Sequence, residues 1–356
     1  MTEQAVREQS ADGTGDAASL ETVACDLCGE KDSEVVVRQR DLLHHVSPDE
    51  FSVVRCLNCG LLYLNPRPTP ADIGRYYPEQ YYAGVKPRTR TGIERLAKQF
   101  SGTIKRWIRE DFYGYPASAP PGPLRMLRKA CLWPEYARRL LRGRDIIPWT
   151  GEGRLLDLGC GEGANLATLQ EDGWDVHGIE MSNTAVAAAR ERVGNRIHHG
   201  TLETAPYADE SFDVILLSHS LEHMFSPVAT LVKLHRLLRP KGLLVVAVPN
   251  VGSLEAGLFG KWWLPWDPPR HLYHFDKETL KKTLERAKFR VNRVCTAVGT
   301  MFFMVSLDRA WNHWKGSPSV PARRFIEKLI VKPVCFIAGH LGYGTEIRVY
   351  AVKEKG

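Results

Sequence analysis

Arg154-Leu-Leu-Asp-Leu-Gly-Cys-Gly-Glu-Gly-Ala-Asn-Leu166 is the stretch whose reading decides the fold. A short apolar run of strand length ends at Gly159, Gly161 and Gly163, and the helix-like ANLATLQEDG (164–173) follows at once. Glycines spaced in this way let a strand turn sharply and bring a ligand against bare backbone at a helix N-terminus. Moving outward, DVHGIE (175–180), DVILLS (213–218) and GLLVVAVP (242–249) read as further strands, with NTAVAAARERVG (183–194) as a second helix closed by a glycine stop. Such alternation predicts an α/β fold, a mostly parallel sheet with helices on both faces. Glu180 ends the second strand, where a carboxylate can accept both hydroxyls of a ribose. By themselves the glycines fit a dinucleotide-binding dehydrogenase equally well.

The surrounding residues separate the two. LLDLGCGEGANL, GIEMS, TAPYADESFDVILLSHSLEH and LRPKGLLVVAVPN together resemble the successive motifs of class I S-adenosylmethionine-dependent methyltransferases, close to the ubiquinone-biosynthesis-like group. The resemblance implies a Rossmann-like methyltransferase sheet and S-adenosylmethionine as cofactor. It implies that Gly159, Cys160, Gly161 and Gly163 line the methionine moiety and that Asp157 faces its amino group. Glu180 would hold the ribose, Met181 would pack on adenine, and Ser218 would complete the cofactor-binding set. Related families carry Gly-Asp-x-Glu after the third strand, whereas Gly200-Thr201-Leu202-Glu203 stands here. Thr201 offers a weaker, neutral hydrogen bond, so the Leu202 backbone is expected to carry more of the adenine recognition.

Acceptor chemistry is expected at the carboxyl ends of the strands, where open α/β sheets place their sites. Two segments supply candidates: Ser218-His219-Ser220-Leu221-Glu222-His223 and Pro269-Arg270-His271-Leu272-Tyr273-His274-Phe275. His271 is the first choice for a base or acceptor-orienting group and His274 of the same loop a further catalytic candidate, the alternative being that both histidines pin the loop to the core. Spacing places His219 and His223 on one face of a short helix, Glu222 beside them. Quinone O-methyltransferases that the chain resembles have Glu-x-x-Glu-His here, able to hold a divalent cation, and His219 replaces the first Glu. Trp262, Trp263 and Trp266 precede the histidines in a loop expected over the pocket, suiting a planar or greasy acceptor. Asp267-Pro-Pro269 superficially matches the acid-Pro-Pro motif of nucleobase amine methyltransferases, but it lies after the wrong strand and lacks the stacking aromatic residue.

Cys25-Asp-Leu-Cys28-Gly and Cys56-Leu-Asn-Cys59-Gly are two matched knuckles. Four thiolates satisfy tetrahedral zinc, so Cys25, Cys28, Cys56 and Cys59 are read as a closed, structural metal site in a ribbon-like module. His44 and His45 lie between the pairs as lesser candidates.

The organisation expected for these 356 residues is a flexible tail over 1–22, a zinc-binding module over 23–85, a basic helical linker or lid over 86–148 and the methyltransferase domain over 149–356. Within the last, residues 255–345 would form acceptor-side loops and an insertion. Net charge is +7, yet the span from Lys86 to Asp145 holds fifteen Lys or Arg against five acidic residues, which points to an anionic partner or a solvated helix face. Ile93, Leu96, Ala97, Phe100, Ile104, Trp107 and Ile108 fall on one stripe of that segment, a pattern suited to a lid or to peripheral contact with an anionic membrane. No signal-peptide-like stretch and no membrane span are evident, and eight cysteines fit a reducing compartment, so a cytoplasmic location is expected. The function expected is methylation of a small, lipophilic or lipid-linked acceptor, O-methylation favoured. A sugar or polyketide-like metabolite is the nearest rival, and RNA a more distant one for want of a recognisable RNA-binding motif.

Overall fold

A computed structural model describes residues 18–78, 92–117, 122–141, 146–297, 299–314 and 320–354. Five short strands open the chain: β1 (Leu20–Glu21), β2 (Ser33–Arg40), β3 (Glu50–Cys56), β4 (Leu62–Leu64) and β5 (Arg67–Pro68). Two helices follow, α1 (Gly92–Phe112) and α2 (Pro123–Leu141). The alternating region then runs β6 (Arg154–Leu158), α3 (Ala164–Glu171), β7 (Asp175–Glu180), α4 (Asn183–Val193), β8 (Ile197–His199), β9 (Phe212–Ser218), α5 (Pro227–Leu237) and β10 (Leu238–Pro249). After it come α6 (Leu254–Phe259), β11 (Tyr273–His274), α7 (Lys277–Arg286), β12 (Phe289–Ala297), α8 (Met301–Trp314), α9 (Val320–Ile326), α10 (Lys332–His340) and β13 (Glu346–Lys353).

Seven strands form one sheet in the order β12-β13-β10-β9-β6-β7-β8, with β13 antiparallel to both neighbours and β10, β9, β6, β7 and β8 parallel to one another. Leu243 to Val248 of β10 are all buried, as expected for a strand covered on both faces. The helices start where their side chains cap them: Ser182 accepts from Ala185 N in α4, Ser226 from Ala229 N in α5, and Asp276 and Thr279 form a capping box in α7. The sequence expectation of strands at 154, 175, 213 and 242, with helices after the first two, is met to within a few residues.

The N-terminal expectation needs one correction. Residues 1–17 lie outside the described residues, but Leu20 and Glu21, assigned to the tail, pair with Pro68 and Arg67, and the Glu21 carboxylate accepts from Arg67 Nε at 2.8 Å. The ordered module therefore begins earlier. Its main sheet has four strands in the order β11-β4-β3-β2, and β11 comes from the far end of the chain. Tyr273 pairs with Tyr63 and His274 with Leu62. The module and the large sheet share one apolar core, in which Phe51, Val53 and Leu64 join Leu217, Trp263, Leu272 and Phe275.

Of the basic segment, α1 buries Ile108 completely and Ile104 partly among Leu155, Trp174 and Tyr115, and Arg109 pairs with Asp172 at the end of α3. Burying an isoleucine of this kind contributes roughly 1.5–3 kcal/mol. The side chains of Ile93, Leu96, Ala97 and Phe100 lie outside the described residues. α2 folds back on α1, its Arg125 and Arg128 on Asp111 and its Tyr136 stacked on Phe112 with 4.2 Å between centroids. On its other side α2 leaves Leu124, Met126, Leu127 and Trp133 exposed. No helix among the described residues is long and apolar enough to cross a membrane.

Candidate active site

The turn from β6 into α3 has Gly159, Gly161 and Gly163 at φ of 77°, 53° and 72°. A Cβ at Gly159 would stand 2.8 Å from Ser220 Cβ, and one at Gly163 3.0 Å from Ala189 Cβ, so two of the three glycines are required by packing as well as by backbone hand. Around Gly161 nothing lies within 4 Å of the added carbon. Glu180 braces the loop from β7: Oε2 accepts from Gly161 N, and Oε1 accepts from Met181 N and Ser182 N, each at 2.9 Å. A carboxylate has about four acceptor sites, so capacity remains for a ribose. Met181 is 66% exposed and leaves its thioether free for a flat ring. Cys160 is different from the expectation. Its thiol turns inward, close enough to Gly178 that a Cβ there would stand 2.7 Å from Sγ, and only its backbone is left for a cofactor. Thr201 and Thr204 close a small turn in which Thr201 N donates to Thr204 Oγ1, while Leu202 buries its side chain in the core. Ser218 is exposed at the end of β9.

Asp157 is buried with Oδ1 unpartnered among the described residues. Burial, with the Glu180 carboxylate nearby, pushes its pKa up to about 7. With Asn165 as its side-chain hydrogen-bond partner and Oδ1 unpartnered, this buried carboxyl fits a cationic group such as the amino group of a methionine moiety.

Past β9 the chain does not form the helical face expected. His219 sits at φ 54°, and only Leu221–His223 make a single turn of 3₁₀ helix. The two histidines therefore point apart. His219 Nε2 lies 2.9 Å from Glu346 of β13, and Nδ1 lies 3.5 Å from Glu222 Oε1. Burial opposes charge on His219, but the two carboxylates outweigh it and push its pKa up to about 10. The imidazolium form at neutral pH can neither accept a proton nor ligate a metal, which removes His219 from the candidate bases.

His223 behaves in the opposite way. Burial, helped by neighbouring His271, pushes its pKa down to about 4, and its Nδ1–H donates to the Arg270 carbonyl at 3.0 Å, with Tyr77 Oη at 3.1 Å from the same nitrogen. The neutral tautomer is thereby fixed, with Nε2 left as an acceptor. His271 is held alike: Nδ1–H donates to the Pro265 carbonyl at 2.7 Å, and its ring meets that of His223 edge-on at 4.7 Å. Glu222 is 1% exposed, and neither of its oxygens has a hydrogen-bond partner among the described residues. Burial would raise its pKa, but His219 beside it prevails and holds it down at about 2. A carboxylate oxygen of Glu222 and one ring nitrogen each of His223 and His271 lie within 4.8 Å of one another. His274 is buried against Trp266, its Nε2 unpartnered and its pKa pushed down to about 3 by burial.

Unpartnered atoms of Asp157, Ser220, Glu222 and His274 thus fall along one edge, the carboxyl ends of β6 and β9 and the loop that faces them. The tryptophan loop contributes less than expected. Trp263 and Trp266 are core, with their indole N–H groups donating to Glu255 and to the Gly260 carbonyl, and only Trp262 remains partly exposed. The insertion between β12 and β13 does reach this edge: Phe302 of α8 meets the His219 ring, and Ser306 accepts from Leu264 N.

The four cysteines converge as their spacing predicts. Cys25 and Cys59 Sγ are 3.4 Å apart, Cys28 and Cys56 Sγ 3.5 Å, and all four lie within 4.8 Å of one another, with no histidine in the group. Tetrahedral zinc–thiolate bonds would set sulfurs about 3.8 Å apart, so the donor set fits.

Sequence reasoning missed Asp26, Asp41, Arg67 and Glu346. Asp26 accepts from Ser226 Oγ and Val228 N, and Arg67 donates to the Phe225 carbonyl and Tyr273 Oη. Arg270, 0% exposed, is clasped between Asp41 and Asp267. Only the Asp267/Arg270 spacing of three residues hinted at any of this.

Residues 129–294 match a family of methyltransferase domains. A ubiquinone biosynthesis O-methyltransferase of Roseobacter denitrificans is 35% identical over 197 residues, 48% of this chain and 78% of that protein. A demethylmenaquinone methyltransferase of Beutenbergia cavernae is 34% identical over 135 residues, 38% of this chain and 51% of that one, so the chain spans only about half of this relative's length. Among solved structures, a methyltransferase of Thermotoga maritima overlaps with a TM-score of 0.42 at 19% identity, covering 73% of this chain and 99% of that one.

Proposed function

Because the chain belongs to the class I S-adenosylmethionine-dependent methyltransferases, we propose that it methylates a hydroxyl of a small lipophilic acceptor held between β9 and the histidine loop. The observation that carries this reading is the row of unpartnered buried polar atoms ending at Glu222, beside His223 and His271, whose Nδ1–H groups are committed to the Arg270 and Pro265 carbonyls. When bound, S-adenosylmethionine supplies a methyl group already activated on a sulfonium. The chain's own work is then to align the acceptor and take its proton. His271, half-buried with Nε2 uncommitted, takes the proton, and His223 and Glu222 hold the hydroxyl in place. Asp157, the glycine loop, Glu180, Met181, Thr201, Leu202 and Ser218 form the cofactor side.

The names of the two relatives, which concern quinones, support a lipophilic acceptor. The apolar face of α2, flanked by Lys129, supports peripheral contact with an anionic membrane as the route by which such an acceptor arrives. Zinc at the four cysteines serves folding alone, since a four-thiolate site leaves no open position. A second reading has a divalent cation at Glu222, His223 and His271, a donor set of two imidazoles and one carboxylate that suits transition metals better than magnesium.

The test is transfer of label from methyl-labelled S-adenosylmethionine into a lipid extract, run beside an aqueous metabolite extract and total RNA. Label in the organic phase that His271→Gln abolishes is the expected result. Label only in the aqueous or RNA fraction overturns the acceptor class. Loss of turnover with EDTA, restored by manganese or iron while zinc stays bound, would favour the cation over the base.

A further inference from the structure

Several bonds tie the N-terminal module to the large domain, and those made by Asp26, Arg67 and Asp41 surround the candidate acceptor residues. Asp26 lies inside the first cysteine knuckle and receives the Ser226 hydroxyl and Val228 N, 2.8 Å away, at the first turn of α5, just past Glu222 and His223. Arg67 holds the Phe225 carbonyl at 2.8 Å and Tyr273 Oη at 3.2 Å. Asp41, at the turn after β2, is itself held by the backbone N–H groups of Leu43, His44 and Val46, and accepts from Arg270 at 2.6 and 3.0 Å. The same Arg270 offers its carbonyl to His223 Nδ1–H, and its guanidinium also reaches the Tyr76 carbonyl. β11 then continues the histidine loop directly into the module's sheet, where Leu64 N donates to the Leu272 carbonyl at 2.9 Å. Leu272 N in turn donates to the Glu222 carbonyl at 2.8 Å. None of these ties touches the glycine loop or Glu180.

We infer that the N-terminal module is the fixed wall of the acceptor site, and that Asp41 is a positioning residue which, through Arg270, sets the orientation and tautomer of His223 and the path of the loop bearing His271. The inference rests on the acceptor placement proposed above. Asp41 touches neither reactant. It acts by holding a fully buried guanidinium whose residue's backbone carbonyl, together with Tyr77 Oη of the module at 3.1 Å, meets His223 Nδ1. A buried bidentate carboxylate–guanidinium pair is geometrically demanding, and replacing one oxygen by an amide nitrogen turns an acceptor toward a cation into a donor. Arg270 then keeps Asp267, three residues away on the same segment, and the neutral Tyr76 carbonyl, but it loses its one charged partner in the module.

The experiment uses the full chain carrying Asp41→Asn, with Asp41→Glu as the conservative variant. Three quantities are read: S-adenosylhomocysteine affinity by calorimetry, hydrogen exchange of peptides spanning 219–228 and 267–275 against those spanning 157–163, and the rate of label transfer at saturating cofactor. In Asp41→Asn the affinity and the KM for S-adenosylmethionine should stay within about twofold. Exchange at the two acceptor segments should rise by at least about tenfold with the glycine loop unchanged, and the transfer rate should fall by a similar factor. Asp41→Glu should recover part of that rate. Unchanged exchange at 219–228 and 267–275 overturns the inference, and so does a rate loss matched by an equal loss of homocysteine-ligand binding, which would mean general unfolding. If Asp41→Asn does not fold, Asp26→Asn removes an independent tie and is read by the same three measurements. A wild-type chain that labels no lipid refutes the acceptor class alone, because exchange and binding still decide the role of Asp41.

Discussion

Raising the pH from 6 to 8 should tighten binding of S-adenosylhomocysteine about tenfold, and the cause is one buried carboxyl group. Asp157 is 2% exposed, has an unpartnered Oδ1, and titrates near 7 in the ligand-free chain because burial raises it from 3.8. An ammonium group placed against it favours the carboxylate and returns the pKa toward its ordinary range. Binding then requires loss of a proton below pH 7, so affinity rises about tenfold per pH unit in that range and levels off above it. The same shift has a stability consequence of defined sign. A carboxyl whose folded pKa lies above its unfolded value stabilises the fold below about pH 4 relative to neutral pH, and that contribution is lost as pH rises through 7. Calorimetry in two buffers of different ionisation enthalpy would measure both affinity and protons released. Close to one proton should be released per ligand at pH 5.5 and almost none at pH 8.5, and Asp157→Asn should abolish the pH dependence. A dissociation constant flat across this range, or no proton release at pH 5.5, would refute the reasoning.

Gly159→Ala should impair both stability and cofactor binding, since the new Cβ would stand 2.8 Å from Ser220 Cβ at a φ of 77°; a loss of about 1–3 kcal/mol in denaturant titration is expected. The purified chain should carry one equivalent of zinc by elemental analysis, and Cys56→Ser should lose it together with protection of β3 and β4 in hydrogen exchange; a metal-free, fully folded chain would remove the zinc reading. His219→Gln leaves the buried Glu222 without its cation, so melting should fall by the equivalent of about 1 kcal/mol, the 38% exposure of His219 screening the pair, read by calorimetry at pH 7. That difference should shrink at pH values above 10, where wild-type His219 has lost its own charge: a histidine with a raised pKa contributes fully below about 6.5 and loses its contribution as pH rises through about 10.

Local pattern made the parallel sheet readable. β6, β7, β9 and β10 announce themselves as apolar runs, and the glycine turn after β6 marks a nucleotide-binding sheet whose kind the flanking motifs decide. The four cysteines were legible for the same reason, because ligand spacing is a local property. What could not be read were facts of orientation and of long-range pairing. His219 and His223 look alike in sequence, yet a positive φ at His219 sends one to Glu346 and leaves the other on the Arg270 carbonyl. Trp263 and Trp266 have the composition of a pocket wall, and only burial reveals them as core. β11 has two residues, too short for any periodicity, and its partner lies in a different module.

That last pairing also orders events in time. Tyr63 and Tyr273 are neighbours in the finished sheet, but synthesis at about 5–20 residues per second separates their emergence from the ribosome by roughly 10–40 s. Throughout that interval the outer edge of β4 has no strand to meet it, and an unpaired edge is a template for pairing with other chains. Metal bound early at the two knuckles would keep β3 and β4 together while the nascent chain waits. Zinc-starved expression should accordingly yield aggregated chains seeded through β4, even where the later, alternating part of the sequence folds on its own schedule.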